Sequence, residues 1–270
     1  MTTLPPPVSR ETWLAARKQL LEAEKTATRA RDALNAQRRT LPMVAIDKDY
    51  VFDTSEGAAN LLGLFEGRRQ LIVYHFMFHR DRGEGCHGCS YLVDNIGHLA
   101  HLHARATTLA LVSRAPLAEL QRFKERMGWQ LPWYSSWDSD FNYDFHVTQD
   151  EAAAPIEYNY RDKPELIARG HNYHLEGEQP GLSVFLRDGM RVYHSYSSYG
   201  RGLDLLLTTY NYLDLTPFGR GESWGGMPDL DGKGMDWTRL HDRYEHDQQD
   251  YAASIGLPSR TVGSCCGETS

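Results

Sequence analysis

Cys86 and Cys89 form a Cys-x-x-Cys pair within LIVYHFMFHRDRGEGCHGCSYL, residues 71–92. A thiolate attacks disulfides and binds soft metals far better than a thiol does, so the segments around the pair decide what it does. Leu71 to Phe78 is an apolar run, too short for a helix and rich in branched and aromatic residues. It reads as a strand buried on both faces. Asp81 to Gly85 is a polar turn with two glycines, and Ser90 to Arg105 runs on as a helix. That order sets Cys86 at a helix N-terminus, where unpaired N–H groups and the dipole favour negative sulfur. The plainer alternatives are two buried structural thiols or half of a zinc site.

Several side chains could join this chemistry. His87 lies between the two cysteines; as a cation it would favour the thiolate, and it could equally be a metal ligand. His75 falls inside the central strand, and His146 and His194 end or flank strands. If two of these converge on Cys86 and Cys89, a mixed Cys/His site for copper or zinc follows; if not, each is a hydrogen-bonded core histidine. His98, His101 and His103 cluster late in the helix after the cysteines, where the helix C-terminus explains them. Asp138, Asp140 and Asp144 suit a proton relay or, more simply, loop capping. A vicinal pair, Cys265-Cys266, sits on the glycine-flanked C-terminal tail as a second dithiol, a soft-metal clamp or an incidental pair.

The chain has 270 residues, of which 41% are hydrophobic and 24% charged, enough for one globular domain with extensions. Four cysteines are too few for a disulfide scaffold. No apolar run is long enough to span a bilayer, and the start MTTLPPPVSR lacks a secretory segment, which points to the cytoplasm. The net charge of −7 is uneven: residues 1–39 carry eight Lys/Arg against four Asp/Glu. The remainder is therefore strongly acidic, which argues against a nucleic-acid surface.

Residues 1–42 read as an N-terminal arm: a proline lead-in, Ser9 as N-cap, then one helix from Arg10 to Arg39. Its stripe of Trp13, Ala16, Leu20, Ala23, Ala27, Ala30 and Leu34 is thin and needs a surface, either the body or a twin in a homodimer. Residues 43–215 form the main domain. It begins with a hairpin over 43–54 around Asp47-Lys48-Asp49 and a helical turn from Asn60 to Phe65. Beyond the first helix, Thr107 to Ser113 is a second buried strand, parallel to the first, and Pro116 opens a helix that Gly128 closes. Trp129 to Val147 holds seven aromatic residues, either core or pocket wall. Residues 148–180 read as an insertion, 181–198 as a hairpin turning at Asp188-Gly189, and Leu203 to Leu213 as a closing helix. Residues 216–270 form a C-terminal extension with a glycine-rich loop, a helix from Trp237 to Tyr251, and the Cys-Cys tail.

From 71 to 213 the elements run β-α-β-α, hairpin, helix, which is the thioredoxin-like order in an α/β fold with a mixed sheet, related to peroxiredoxins. The stretches SRETWLAARKQLLEAEK, YHFMF, EGCHGCS, SDFNYDF, GLSVFLRDG, HSYSSYGRGLD and MDWTRLHDRY resemble the bacterial domain-of-unknown-function family 899, described as thioredoxin-like or dithiol-disulfide oxidoreductase. The resemblance implies that Cys86 attacks and Cys89 resolves, with Tyr74 and His75 of YHFMF as supporting residues. The partner would be a protein or small-molecule thiol or disulfide, with no nucleic acid or membrane involved and no cofactor required. Thioredoxins carry a cis-proline just before the hairpin strand. Here Gly181 falls at that position with Pro180 one residue early, and loss of that proline accompanies metal binding in such folds. A copper- or zinc-binding protein, or a copper-dependent oxidase using Cys86, Cys89, His146 and His194, is therefore the alternative.

Overall fold

The alternation of side chains along two neighbouring strands divides the molecule into two cores. The computed structural model describes residues 5–220 and 237–244. In β4 (Gln70–His75), Leu71 and Val73 enter one core, while Ile72 and Tyr74 enter the other. In β5 (Thr107–Ser113), Ala110 and Val112 join the first set, and Leu109 and Leu111 the second. β5 is parallel to β4. The remaining strands are β1 (Val44–Ala45), β2 (Val51–Thr54), β3 (Gly57–Asn60), β6 (Trp133–Ser135), β7 (Gly181–Asp188) and β8 (Arg191–Tyr199). They form one sheet in the order β1-β8-β7-β4-β5-β6-β2-β3. β7 is antiparallel to both β4 and β8, and β6 is parallel to β5. The central β8-β7-β4-β5 set, with helices between β4, β5 and β6, is the thioredoxin-like arrangement expected from the element order.

Helices cover both faces. α2 (His87–Asp94), α4 (Leu117–Arg126) and α7 (Thr208–Leu213) pack on the Tyr74 side. α5 (Phe141–Asp144) and α6 (Lys163–Ala168) pack on the Leu71 side. The long α1 (Arg10–Arg38) is capped by the Ser9 hydroxyl and buries no residue; Trp13, Leu20 and Leu34 are exposed. Among the described residues, no helix is long and apolar enough to cross a membrane.

Several expectations need correction. The apolar run leaves the sheet at His75, and Phe78–His79 folds back onto Glu84–Gly85 as a separate two-stranded ribbon. The helix expected from Ser90 to Arg105 is two helices. Asn95 ends α2, donating to the Tyr91 carbonyl (2.7 Å) and accepting from Thr208 and Thr209. His101 and His103 thus belong to α3 (Ala100–His103), with His98 just before it.

The hairpin expected around Asp47-Lys48-Asp49 does not form either. β1 pairs with β8 at one edge of the sheet, and β2 pairs with β3 near the other. Gly189 and Met190, between the paired Asp188 and Arg191, make the turn of the β7–β8 hairpin, with Gly189 at φ +59°. The closing segment splits into a 3₁₀ turn, Gly200–Leu206, and α7. In 237–244, His241–Arg243 forms a helical turn and 238–240 are not helical; residues 245–251 of that expected helix, most of the glycine-rich loop and Cys265-Cys266 lie outside the described residues.

Candidate active site

β4, β5 and β6 all end at one edge of the sheet, and the chain segments leaving them are tied together. The Phe76 N–H bonds the Val112 carbonyl (2.9 Å), and the Ser113 hydroxyl donates to the Phe76 carbonyl (2.7 Å). Ser113 in turn accepts from the Trp133 indole (3.0 Å). Beneath the turn, Phe76, Phe78, Phe123, Trp129 and Trp133 pack mainly edge to face, each such pair contributing about 0.5–1.5 kcal/mol. Gly85 belongs to this packing: a Cβ there would come within 2.5 Å of Phe76 and 2.7 Å of Phe123. The ribbon of Phe78–His79 with Glu84–Gly85 then delivers Cys86, whose N–H bonds the Met77 carbonyl (3.0 Å).

Cys86 is the N-cap of α2 and is half-buried; Cys89, on the first turn, is 2% exposed. Both are free thiols. The Cys89 thiol bonds the Cys86 sulfur and is the largest influence holding Cys86 well below the usual thiol range. Burial opposes this, and the His79 imidazole and the N–H groups of Cys89 and Gly88 reinforce it. These N–H groups face Sγ without the geometry of a full cap hydrogen bond. Cys89 moves the other way: burial, then its bond to Cys86 and the charge there, keep it protonated. The Met77 N–H (3.5 Å) and the Tyr74 hydroxyl also bond Cys89. His79 is raised above its ordinary value by its bond to Cys86. The arrangement therefore favours the thiolate at Cys86 and the thiol at Cys89, and shifts His79 toward its charged form.

The expected residues fare differently. Tyr74 packs in the core that holds Cys89 and acts on its thiol, but His75 does not. Consecutive strand residues point to opposite faces, and His75 packs on Phe141 and Phe145 in the other core. Its Nε2 bonds Ser183 (2.8 Å), Ser183 bonds Ser197 (2.8 Å), and Ser197 bonds His194 (2.8 Å). Burial pushes His75 down to about 3. His194 also packs edge-on against Phe145 and tilted against Phe185, in the core away from the cysteines. His146 follows α5 with φ +55°, its ring 3.8 Å from Glu157; its residue type serves a left-handed backbone position. The set of Cys86, Cys89, His146 and His194 is thus not assembled. Among the described residues, no group of three or more His, Cys, Asp or Glu is placed to hold a metal.

His87 is exposed at the rim of a small pocket lined by His79, Arg82, Glu84, Gly85 and Cys86. The imidazole bonded to the thiolate is His79, not His87. Of the three aspartates, Asp140 and Asp144 hold Lys48 (2.9 and 2.7 Å) rather than relaying protons. Gly181 opens β7 opposite His75 of β4, with Pro180 just before it. No peptide bond described is cis, and a Cβ on Gly181 would lie 2.9 Å from the Tyr199 ring.

The sequence reasoning missed His79, Tyr158, Tyr173 and Glu178. Tyr158 is buried and raised chiefly by that burial, while Tyr173 is exposed at the surface. Glu178, from the 148–180 segment, accepts from Thr148 (2.9 Å) and Asn142 (3.3 Å), and burial lifts it to about 7. The only available signal was for His79, which precedes the glycine-bearing turn leading back to Cys86.

Fold and site together define a thioredoxin-like protein with a Cys-x-x-Cys pair capping a helix. The profile of the family described as "Bacterial protein of unknown function (DUF899)" matches residues 2–244, and the chain belongs to that family. No curated protein matches it. Similar solved structures include the bacterioferritin comigratory protein of Xanthomonas campestris, 12% identical over 59% of this chain and 88% of that one, with a TM-score of 0.36. Peroxidoxin BcpB of Mycobacterium tuberculosis is 15% identical over 64% and 97%, at 0.37. The mitochondrial 2-Cys peroxiredoxin of Plasmodium falciparum is 10% identical over 65% and 95%, at 0.39.

Proposed function

We propose that the protein is a dithiol–disulfide oxidoreductase with Cys86 as nucleophile and Cys89 as resolving thiol. One observation carries the reading: Cys86 is the N-cap of α2 and shares a small pocket with the His79 imidazole, with Cys89 on the first turn of the same helix. The Cys86 thiolate attacks one sulfur of a substrate disulfide, and the S–S bond breaks to release a thiolate. Cys86 is then uncharged, so the charge that helped keep Cys89 protonated is gone. Cys89 loses its proton to the released thiolate and attacks Cys86 Sγ, expelling the second substrate thiolate. Two electrons pass from the dithiol to the substrate, leaving a Cys86–Cys89 disulfide, one substrate thiol and one thiolate.

The test uses bis(2-hydroxyethyl) disulfide as a neutral substrate. Cys86→Ser is expected to abolish exchange, and Cys89→Ser to stop at a mixed disulfide visible by mass spectrometry. Full exchange by Cys86→Ser overturns the reading. Cys265-Cys266 fits as a second dithiol that re-reduces the first; in that case Cys265→Ser/Cys266→Ser slows turnover while a single exchange round remains.

A further inference from the structure

Among the described residues, two arginines on segments that leave the same end of the sheet as the Cys86 turn, Arg80 and Arg114, make no ion pair with a carboxylate. Arg80 follows His79, whose ring bonds Cys86, and its guanidinium lies 3.9 Å from the centroid of the Trp137 ring. Arg114 follows the last residue of β5; its guanidinium lies 5.1 Å from the same ring and 4.9 Å from that of Tyr143. Trp137 comes just after β6, where the Ser136 N–H bonds the Ser113 carbonyl (3.0 Å). The ends of three strands thus bring Arg80, Trp137 and Arg114 to the edge of the sheet that carries Cys86.

The local acids are committed elsewhere or stand apart. Asp81 pairs with Arg82 (3.4 Å), and Glu84 with Arg126 (2.7 Å) and Arg243. Glu178 accepts from Thr148 and Asn142; it makes no ion pair with Arg114, whose charge acts on it only at longer range. Asp138 is exposed and bridges to neither arginine. Arg114 Nε is moreover buried with no hydrogen-bond acceptor among the described residues. A buried guanidinium N–H left unpaired costs free energy that a bound anion would recover. The aromatic faces hold both side chains in place without using their N–H forks.

We infer that Arg80, Arg114 and Trp137 form a carboxylate-binding subsite, so that the disulfides or thiols this protein exchanges with are small molecules bearing carboxylates. The inference rests on the dithiol reading above and specifies its substrate class. The protein as a whole is acidic, so this cationic patch is set against the overall charge and would steer anionic substrates toward Cys86.

The test compares three disulfides on the reduced full chain at low ionic strength: 3,3′-dithiodipropionate (dianionic), bis(2-hydroxyethyl) disulfide (neutral) and cystamine (dicationic). The dianion is expected to react about tenfold or more faster than the neutral probe, with cystamine slowest and salt narrowing the spread. Arg80→Gln should lower the dianion-to-neutral ratio several-fold, Arg80→Glu should lower it further, and Arg114→Lys should lower it less than Arg114→Gln. Each ratio is measured on one protein, so changes in folding or thiol reactivity cancel. Exchange with the neutral probe, but with a ratio near one or unmoved by the arginine variants, overturns the subsite and leaves the dithiol reading intact. No exchange with any of the three disulfides overturns both.

Discussion

Replacing His79 with alanine tests how Cys86 is kept ionised. Hydrogen bonds to charged groups contribute roughly 1.5–3 kcal/mol, and His79 is only half-buried, so the low end applies. At about 1.4 kcal/mol per unit, His79→Ala should raise the Cys86 pKa by about one unit. The shift should not be larger, because the Cys89 thiol and the N–H groups of Gly88 and Cys89 still stabilise the sulfur. The assay is the pH dependence of Cys86 alkylation in the reduced protein, followed with ultraviolet thiolate absorbance. His79→Gln keeps a neutral donor and should recover part of the shift. The linkage has a definite sign. The lowered Cys86 pKa stabilises the reduced fold at high pH and is lost as pH falls through its folded value. The raised His79 pKa contributes below its ordinary value of about 6.5 and is lost as pH rises through its folded value. The wild type should therefore gain most over His79→Ala between the two folded pKa values. A midpoint that moves by less than about 0.3 unit, against the ~1 unit expected, refutes the assignment of His79.

Three further outcomes follow from the same geometry. Tyr74→Phe removes a hydroxyl that bonds Cys89; mixed disulfide on Cys86 should accumulate in stopped-time mass spectra while the first alkylation rate holds. Gly85→Ala forces a methyl against Phe76 and Phe123 and should cost about 1–3 kcal/mol, read from denaturant unfolding. Glu178, raised to about 7 by burial, makes the fold less stable as pH rises from about 4.5 to 7, by up to about 3 kcal/mol. Glu178→Gln should flatten that slope, and an unchanged slope assigns it to another group.

The parts of the fold that were legible in the sequence rest on local signals. Apolar runs gave β4 and β5, Pro116 and Gly128 bracketed α4, and a glycine turn joined β7 to β8. Cys86 at the start of α2 followed from strand, turn and helix in that order. What was not legible depends on pairing between short segments. The ribbon that brings His79 to Cys86 has two residues per strand and no periodicity. β1 and β2 look like one hairpin, yet they find partners near opposite edges of the sheet. Asn95 breaks the helix through hydrogen bonds to Thr208 and Thr209, far along the chain. The separation of Tyr74 from His75 follows from the pleat alone once the strand is accepted, and it removes His75 from the dithiol.

Limited alkylation bears most directly on the claim that Cys86 is a thiolate beside a protonated Cys89. The reduced protein is treated at about pH 5.5, where an ordinary thiol with a pKa of about 8.5 is only about one part in a thousand ionised, with less than one equivalent of iodoacetamide, and its peptides are mapped. The account predicts label on Cys86 well ahead of Cys89. Label shared evenly, label on Cys89 first, or no reaction at that pH would contradict it.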